Sequence, residues 1–495
     1  MKLTSPNIAI CANTMRKLLK PLVFLTGLAV MSGPVQSQSN LPDLGDYSAT
    51  VLSASEEQKL GREFMRQIRQ QLRFIDDQEL ITYLNRLGSV LVSNSDQPGR
   101  TFTFYLVEDN ALNAFAVPGG HITVHTGLIT NTLHEAELAS VIAHEIAHVT
   151  QSHIARMIAQ NKRTNIPAMA ALIAAILLGG QAGTAAIMGT QAALVERQLQ
   201  YSRSFEEEAD AIGIQTLASA GYDPRAMPDF FGRLQQYSRS QESNAPEFLR
   251  THPLTYSRIA ESVARADQYP RIENPDETQF QLMKAKIRAL YSGSDPARVA
   301  QGFAARLKEN TYENLYAERY GYALALMADG QYQAARELMN ELISQDPERL
   351  SYSIALANIE TADGRPGNAA KAYQRIRANH PDNLVLDLYF INALIESEQY
   401  AEAKKILKSH LLSRRGDPRL HKLLARTEGE SGNHLAAHQE LAEFYYFNGN
   451  SAEALRQLGL AKKYTGDSFY AQSSVSARIE EIQQELRNRG EKIPR

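Results

Sequence analysis

Apolar residues recur at helical spacing over residues 55 to 92, where Leu60, Phe64, Ile68 and Leu72 mark one stripe and Leu80, Leu84, Leu87 and Leu91 another. The stretch predicts two helices. The period then changes to two: TFTFYLVED (101–109) and HITVHTG (121–127) alternate like strands, bracketing NAFAVPGG, whose Pro118, Gly119 and Gly120 mark a turn. The second strand is expected at the edge of a small sheet, free to pair with an extended peptide through main-chain hydrogen bonds. His121 and His125 on it are read as surface or packing residues. Helical period returns with Leu138, Val141, Ile142 and Ile146, and no Gly or Pro interrupts residues 132 to 160, so one continuous helix is predicted there.

The C-terminal part repeats itself. Gly330, Gly364 and Gly432 lie at multiples of 34 with Glu398 in the missing slot, and Ala335, Ala369, Ala403 and Ala437 keep the same step. Pro347 and Pro381 each fall 17 residues after their Gly. Small residues where two helices cross, and Pro at the turn, are what a tetratricopeptide solenoid requires, and such arrays present concave peptide-binding surfaces. A divergent unit around Gly449 and Ala454 reads as a cap. The predicted fold is mainly α: an α+β domain with a small β-sheet (38–270), a junction around an isolated helix (271–305), an all-α tetratricopeptide-repeat solenoid (306–480) and a tail (481–495).

Composition narrows the class. At 495 residues the chain calls for two or three domains, and 43% hydrophobic with 22% charged residues suits a globular protein. A net charge of −3 supplies no basic footprint, which argues against nucleic acid as partner. Residues 1–37 read as a secretory signal, with Arg16, Lys17 and Lys20 ahead of an apolar run from Leu22 to Met31, cleavage near Ser37, and a true start at Met15. The sole cysteine, Cys11, precedes that start, so the mature chain carries no disulfide framework. Export without cysteines fits the periplasm. The uncharged stretch 164–195 reads as an apolar hairpin, packed beside the active site or dipping into a membrane surface, because its apolar run falls short of the roughly 20 residues needed to span.

Chemistry concentrates in VIAHEIAHVTQSH (141–153). His144 and His148 lie one helical turn apart, so both imidazoles reach a single tetrahedral ion. Glu145 is rotated roughly 100° from His144, where it holds a water beside the metal instead of ligating. A catalytic zinc needs a third protein ligand. His153 is rotated from His148 on the same predicted helix and is read as structural. FEEEADAIGIQTLASAG (205–221) offers Glu206 and Asp210 on one helix face: Glu206 to ligate, Asp210 to accept the second N–H of a ligating histidine. Glu207 and Glu208 are read as solvated surface. In THPLTYSR (251–258), Thr251-His252-Pro253 either caps a helix beginning near Leu254 or brings His252 to the metal, as oxyanion stabiliser or as fourth ligand in a closed state. Arg258 either orients substrate or lies on a helix surface.

HEIAH, then YSRSFEEEAD and THPLTYSR, resembles the zinc metalloproteases of the HtpX and CAAX prenyl protease class. NAFAVPGGHITVHTGL matches that class as well. With the exported N-terminus and the repeat array, the chain is similar to periplasmic proteases that serve outer-membrane β-barrel assembly, over nearly all of its mature length. The resemblance implies one zinc held by His144, His148 and Glu206, with Glu145 as general base. It also implies quality control: unfolded or misassembled outer-membrane proteins as substrates, the assembly machinery as partner of the repeats, and peripheral membrane contact. A rival reading makes the chain a chaperone-like or scaffold binding protein whose metal site is idle.

Overall fold

The computed structural model describes residues 53–69, 71–160, 203–240, 246–272 and 276–488. The signal segment and the apolar stretch 164–195 lie outside the described residues. No helix among the described residues is long and apolar enough to cross a membrane.

The two leading helices form as their stripes predict: α1 (Ala54–Ile68) and α2 (Gln78–Ser93). Asp77 caps α2, its side chain accepting from the backbone N–H of Glu79 and Leu80. Three strands follow, β1 (Thr103–Val107), β2 (Ala114–Val117) and β3 (His121–His125). Their order is β1-β3-β2, with β3 parallel to β1 and antiparallel to β2. This corrects the expected edge: HITVH is the central strand, and the outer strand is AFAV. Sequence reading missed β2 because all four of its residues are buried, which removes the alternation that announces a strand. The β2–β3 hairpin closes through Gly119 and Gly120 at φ +84° and +78°, and a Cβ on Gly120 would stand 2.2 Å from the Thr101 carbonyl oxygen.

After α3 (Thr126–Asn131) comes α4 (Glu135–Thr150), which carries HEIAH and is buried along its length. Leu138, Ile142 and Ile146 pack with Leu87 and Leu91 of α2 and with Ala114, Ala116, Ile122 and Val124 from one sheet face. The other face takes Phe115 and Val117 to Leu60, Phe64 and Ile68 of α1. The helix predicted to run unbroken to residue 160 stops at Gln151. Ser152 turns left-handed (φ 52°), and α5 (His153–Gln160) starts on a new axis. Helices α6 (Arg203–Ser219), α7 (Ala226–Ser240), α8 (Glu247–Thr251) and α9 (Tyr256–Ala266) complete this part.

The junction holds two helices instead of one, α10 (Thr278–Leu290) and α11 (Pro296–Glu309). Phe280, Leu282, Met283 and Ile287 belong to the same core as α4, and that core continues into Tyr320, Ala335 and Tyr352 of the array. The array comprises α12 (Leu315–Ala328), α13 (Tyr332–Gln345), α14 (Leu350–Ala362), α15 (Pro366–Asn379), α16 (Leu384–Glu396), α17 (Tyr400–Ser413), α18 (Pro418–Glu430), α19 (His434–Phe447), α20 (Ser451–Ala461) and α21 (Phe469–Asn488). The repeat explains itself residue by residue. Gly330, Gly364 and Gly432 take φ +78°, +71° and +84° where each first helix ends, and Glu398 adopts φ 60° in the same slot at a cost of about 1 kcal/mol. Ala335, Ala369 and Ala403 are fully buried where the paired helices cross.

The array also grips the peptidase part. Lys286 of α10, buried, places Nζ 2.8 Å from Asp77 and 2.9 Å from Glu79 at the start of α2. Tyr389 of α16 donates to Asp77 Oδ1 over 3.1 Å, and Lys422 of α18 pairs with Asp76 at 3.1 Å.

Candidate metal centre

Two close helices build the site. Gly213 lets α6 pass against α4 at the first histidine: a Cβ there would stand 3.3 Å from the His144 nitrogen and 3.4 Å from its Cα. Helix α8 ends at His252, whose ring stacks on Phe248 at 4.7 Å between centroids, and a Phe248 N–H to Leu112 O bond ties α8 to the loop entering β2. The capping expected of Thr251-His252-Pro253 does not occur. Thr255 caps α9, accepting from the Arg258 N–H, which frees the His252 ring to turn inward.

His144, His148, Glu206 and His252 thus converge, each offering one donor atom within 4.8 Å of the others, and each 1% or 2% exposed. The separations discriminate between a metal cradle and incidental packing. His144 Nε2 lies 3.0 Å from His148 Nε2, 3.3 Å from His252 Nδ1 and 3.5 Å from Glu206 Oε2. Glu206 Oε1 lies 3.4 Å from His148 Nε2 and 3.2 Å from His252 Nδ1. Donors at about 2.0–2.1 Å from a tetrahedral ion stand about 3.4 Å apart. These separations are of that size, with one Glu206 oxygen facing His144 and the other facing His148 and His252, so the donor set and its spacing suit zinc. Burial opposes charge on His144, yet Asp210 and Glu206 raise it to about 10, whereas burial pushes His148 down to about 3 against the pull of Glu206. Burial also works against the Glu206 carboxylate, but His252, His144 and His148 hold it well below its ordinary range, ionised and able to ligate.

Glu145 sits beside this set, fully buried, with Oε1 3.4 Å from His252 Nε2 and neither oxygen hydrogen-bonded among the described residues. Burial raises its pKa, opposed by His252 and His144, and Ala116 of the outer strand β2 adjoins it. A buried carboxylate with a single ion-pair contact and no hydrogen bond on either oxygen is costly, and marks a site held ready for chemistry. A cleft along β2, lined by Ala116, Val117, Pro118, His148, Val149 and Ile154, opens next to it.

Around the donors stands a second layer. Asp210 Oδ1 is 2.9 Å from His144 Nδ1, a contact at ion-pair distance, where the expected partner of a ligating histidine belongs. Arg258 corrects its sequence reading: it is no surface charge but 1% exposed, donating from Nε and Nη2 to Asp210 at 2.7 and 2.8 Å, from Nη1 to the Pro253 carbonyl at 2.8 Å, and pairing with Glu206 at 2.9 Å. Glu208 is likewise not simply solvated, since it is bonded to His153 and Arg156. Sequence reasoning had no signal for the burial of Arg258, whose carboxylate partners Asp210 and Glu206 lie on another helix.

Residues 79–266 match the model of peptidase family M48, and residues 360–427 match a tetratricopeptide repeat. The chain is 33% identical over 460 residues to the beta-barrel assembly-enhancing protease of Yersinia pestis, covering 92% of this chain and 94% of that protein. With the protein of that name from Escherichia coli K12 it shares 32% identity over 477 residues, 95% and 97% of the two chains. The mitochondrial metalloendopeptidase OMA1 of Arabidopsis thaliana matches 33% over 179 residues, 36% of this chain and 34% of that one.

Proposed function

The chain belongs to peptidase family M48, among the beta-barrel assembly-enhancing proteases, and from that premise we propose that it is a zinc-dependent endopeptidase of the periplasm that degrades unfolded or misassembled outer-membrane proteins. Its repeat array, on the same reading, binds partners in outer-membrane protein assembly. The observation that carries the proposal is the buried cluster of four donors beside Glu145, whose oxygens make no hydrogen bond among the described residues.

His144, His148 and Glu206 would hold the zinc. When bound, the ion supplies Lewis acidity, bringing the pKa of water toward 7 and stabilising negative charge on the carbonyl oxygen under attack. Glu145 takes the proton of the attacking water and passes it to the leaving amine; its burial, which raises its pKa, fits both halves of that task. Asp210 fixes the ring of His144, and Arg258 pairs with both Asp210 and Glu206 in the core. The outer strand β2 would hold an extended substrate by main-chain hydrogen bonds, which favours unfolded chains over native ones.

Metal dependence is tested by following cleavage of an unfolded protein before and after chelation. The expected result is loss of cleavage on chelation and recovery on adding zinc; cleavage indifferent to the chelator sinks the proposal. His252 would occupy the fourth position at rest. Its replacement in His252→Ala is then expected to raise the rate on a short unstructured peptide several-fold and to weaken zinc retention. Wild-type rate and zinc content in that variant would remove His252 from the site.

A further inference from the structure

The second ring nitrogen of His148, like that of His144, meets a residue from beyond the HEIAH helix. Its Nδ1 lies 2.7 Å from Nδ1 of His153, a buried ring on the first turn of α5. His153 Nε2 in turn lies 3.2 Å from Glu208 Oε2, which also accepts from Arg156 Nη1 over 2.8 Å. The His153 ring is clamped in place: Phe205 stacks on it at 4.5 Å with 13° between planes, and the Arg156 guanidinium covers the Phe205 ring at 4.6 Å. This arrangement exists because the chain turns at Ser152; on one continuous helix His153 would face away from His148.

Proton placement follows from the distances. Two ring nitrogens 2.7 Å apart share one hydrogen, since two would clash and none would set lone pair against lone pair. A His148 ligating through Nε2 keeps its own proton on Nδ1, so His153 Nδ1 must accept it. His153 then carries its hydrogen on Nε2, where the Glu208 carboxylate accepts it. In the reverse order His153 would turn a lone pair toward a carboxylate, and His148 would point N–H into the donor cluster.

We propose that His153 and Glu208 are positioning residues that hold His148 as its Nδ1–H tautomer and thereby set the affinity of the site for zinc. The inference rests on the proposed function, in that His148 is taken as a zinc ligand through Nε2. Loss of the outer partner of a ligating histidine weakens metal binding by about 10- to 100-fold.

The test uses the full mature chain and reads the zinc dissociation constant by competition with a chromophoric chelator, with the thermal midpoint of the apoprotein measured alongside. His153→Leu fills the ring's space without accepting a hydrogen bond, and Glu208→Leu acts at a half-buried position without removing the ring. Both are expected to weaken zinc by 10- to 100-fold while the apoprotein midpoint stays near wild type. His153→Gln, whose amide oxygen accepts from His148 and whose NH2 donates to Glu208, is expected to stay within about threefold of wild type. Wild-type affinity in both Leu variants overturns the proposal, and so does a loss in His153→Gln equal to that in His153→Leu, which would reduce His153 to packing. A wild-type chain that binds no zinc fails the metal reading instead, a separate result.

Discussion

Glu145→Gln in the metal-loaded chain is expected to lower kcat for cleavage of an unfolded protein by about 10²- to 10⁴-fold, the usual contribution of a positioned acid–base group. Zinc content should be unchanged, because Glu145 is outside the four-donor set. The variant should also melt at a higher temperature than wild type: an amide replaces a buried carboxylate that has no hydrogen-bond partner, and catalytic groups of this kind are held at the expense of stability. Cleavage within tenfold of wild type would take the general base away from Glu145. The same variant separates the enzyme from its binding-protein rival. If it rescues a deletion strain as well as wild type does, the repeat array carries the cellular role and hydrolysis is secondary.

The largest structural effect is expected at Arg258. Arg258→Leu leaves Asp210 and Glu206 buried without the guanidinium that pairs with both, and removing one partner of a buried ion pair costs about 3–5 kcal/mol. Denaturant unfolding of the zinc-free variant should show a loss of that size. Zinc, which returns positive charge next to Glu206, should recover part of it. Arg258→Lys restores charge but not the two-point contact with Asp210, so it should fall between the two. A zinc-free loss below about 1 kcal/mol would mean that water, not Arg258, solvates these carboxylates.

What the sequence disclosed and what it concealed divide along a physical line. HEIAH and EEEAD could be placed because i, i+4 spacing on a helix fixes which side chains share a face, and the two helices do bring His144, His148, Glu206 and Asp210 together. The repeats were legible down to Glu398 because a left-handed slot every 34 residues selects glycine so strongly that its absence is itself a signal. Three features were hidden for three different reasons. Strand β2 is buried on both faces and so has no period. The turn at Ser152 uses neither Gly nor Pro, so the partnership of His153 with His148 could not be foreseen. Arg258 and Lys286 are charges buried by partners distant in the chain, and local pattern assigns any lone Arg or Lys to the surface.

Lys286 bears on how this chain can be taken apart. Its sequence invites division at the junction, peptidase on one side and repeats on the other. A cut near residue 270 strands Asp77 and Glu79 without their cation, and a cut near 305 strips the lysine of Tyr389 and opens the shared core at Tyr320 and Tyr352. Through these contacts the repeat array forms part of the outer wall of the peptidase, and the two are expected to unfold together.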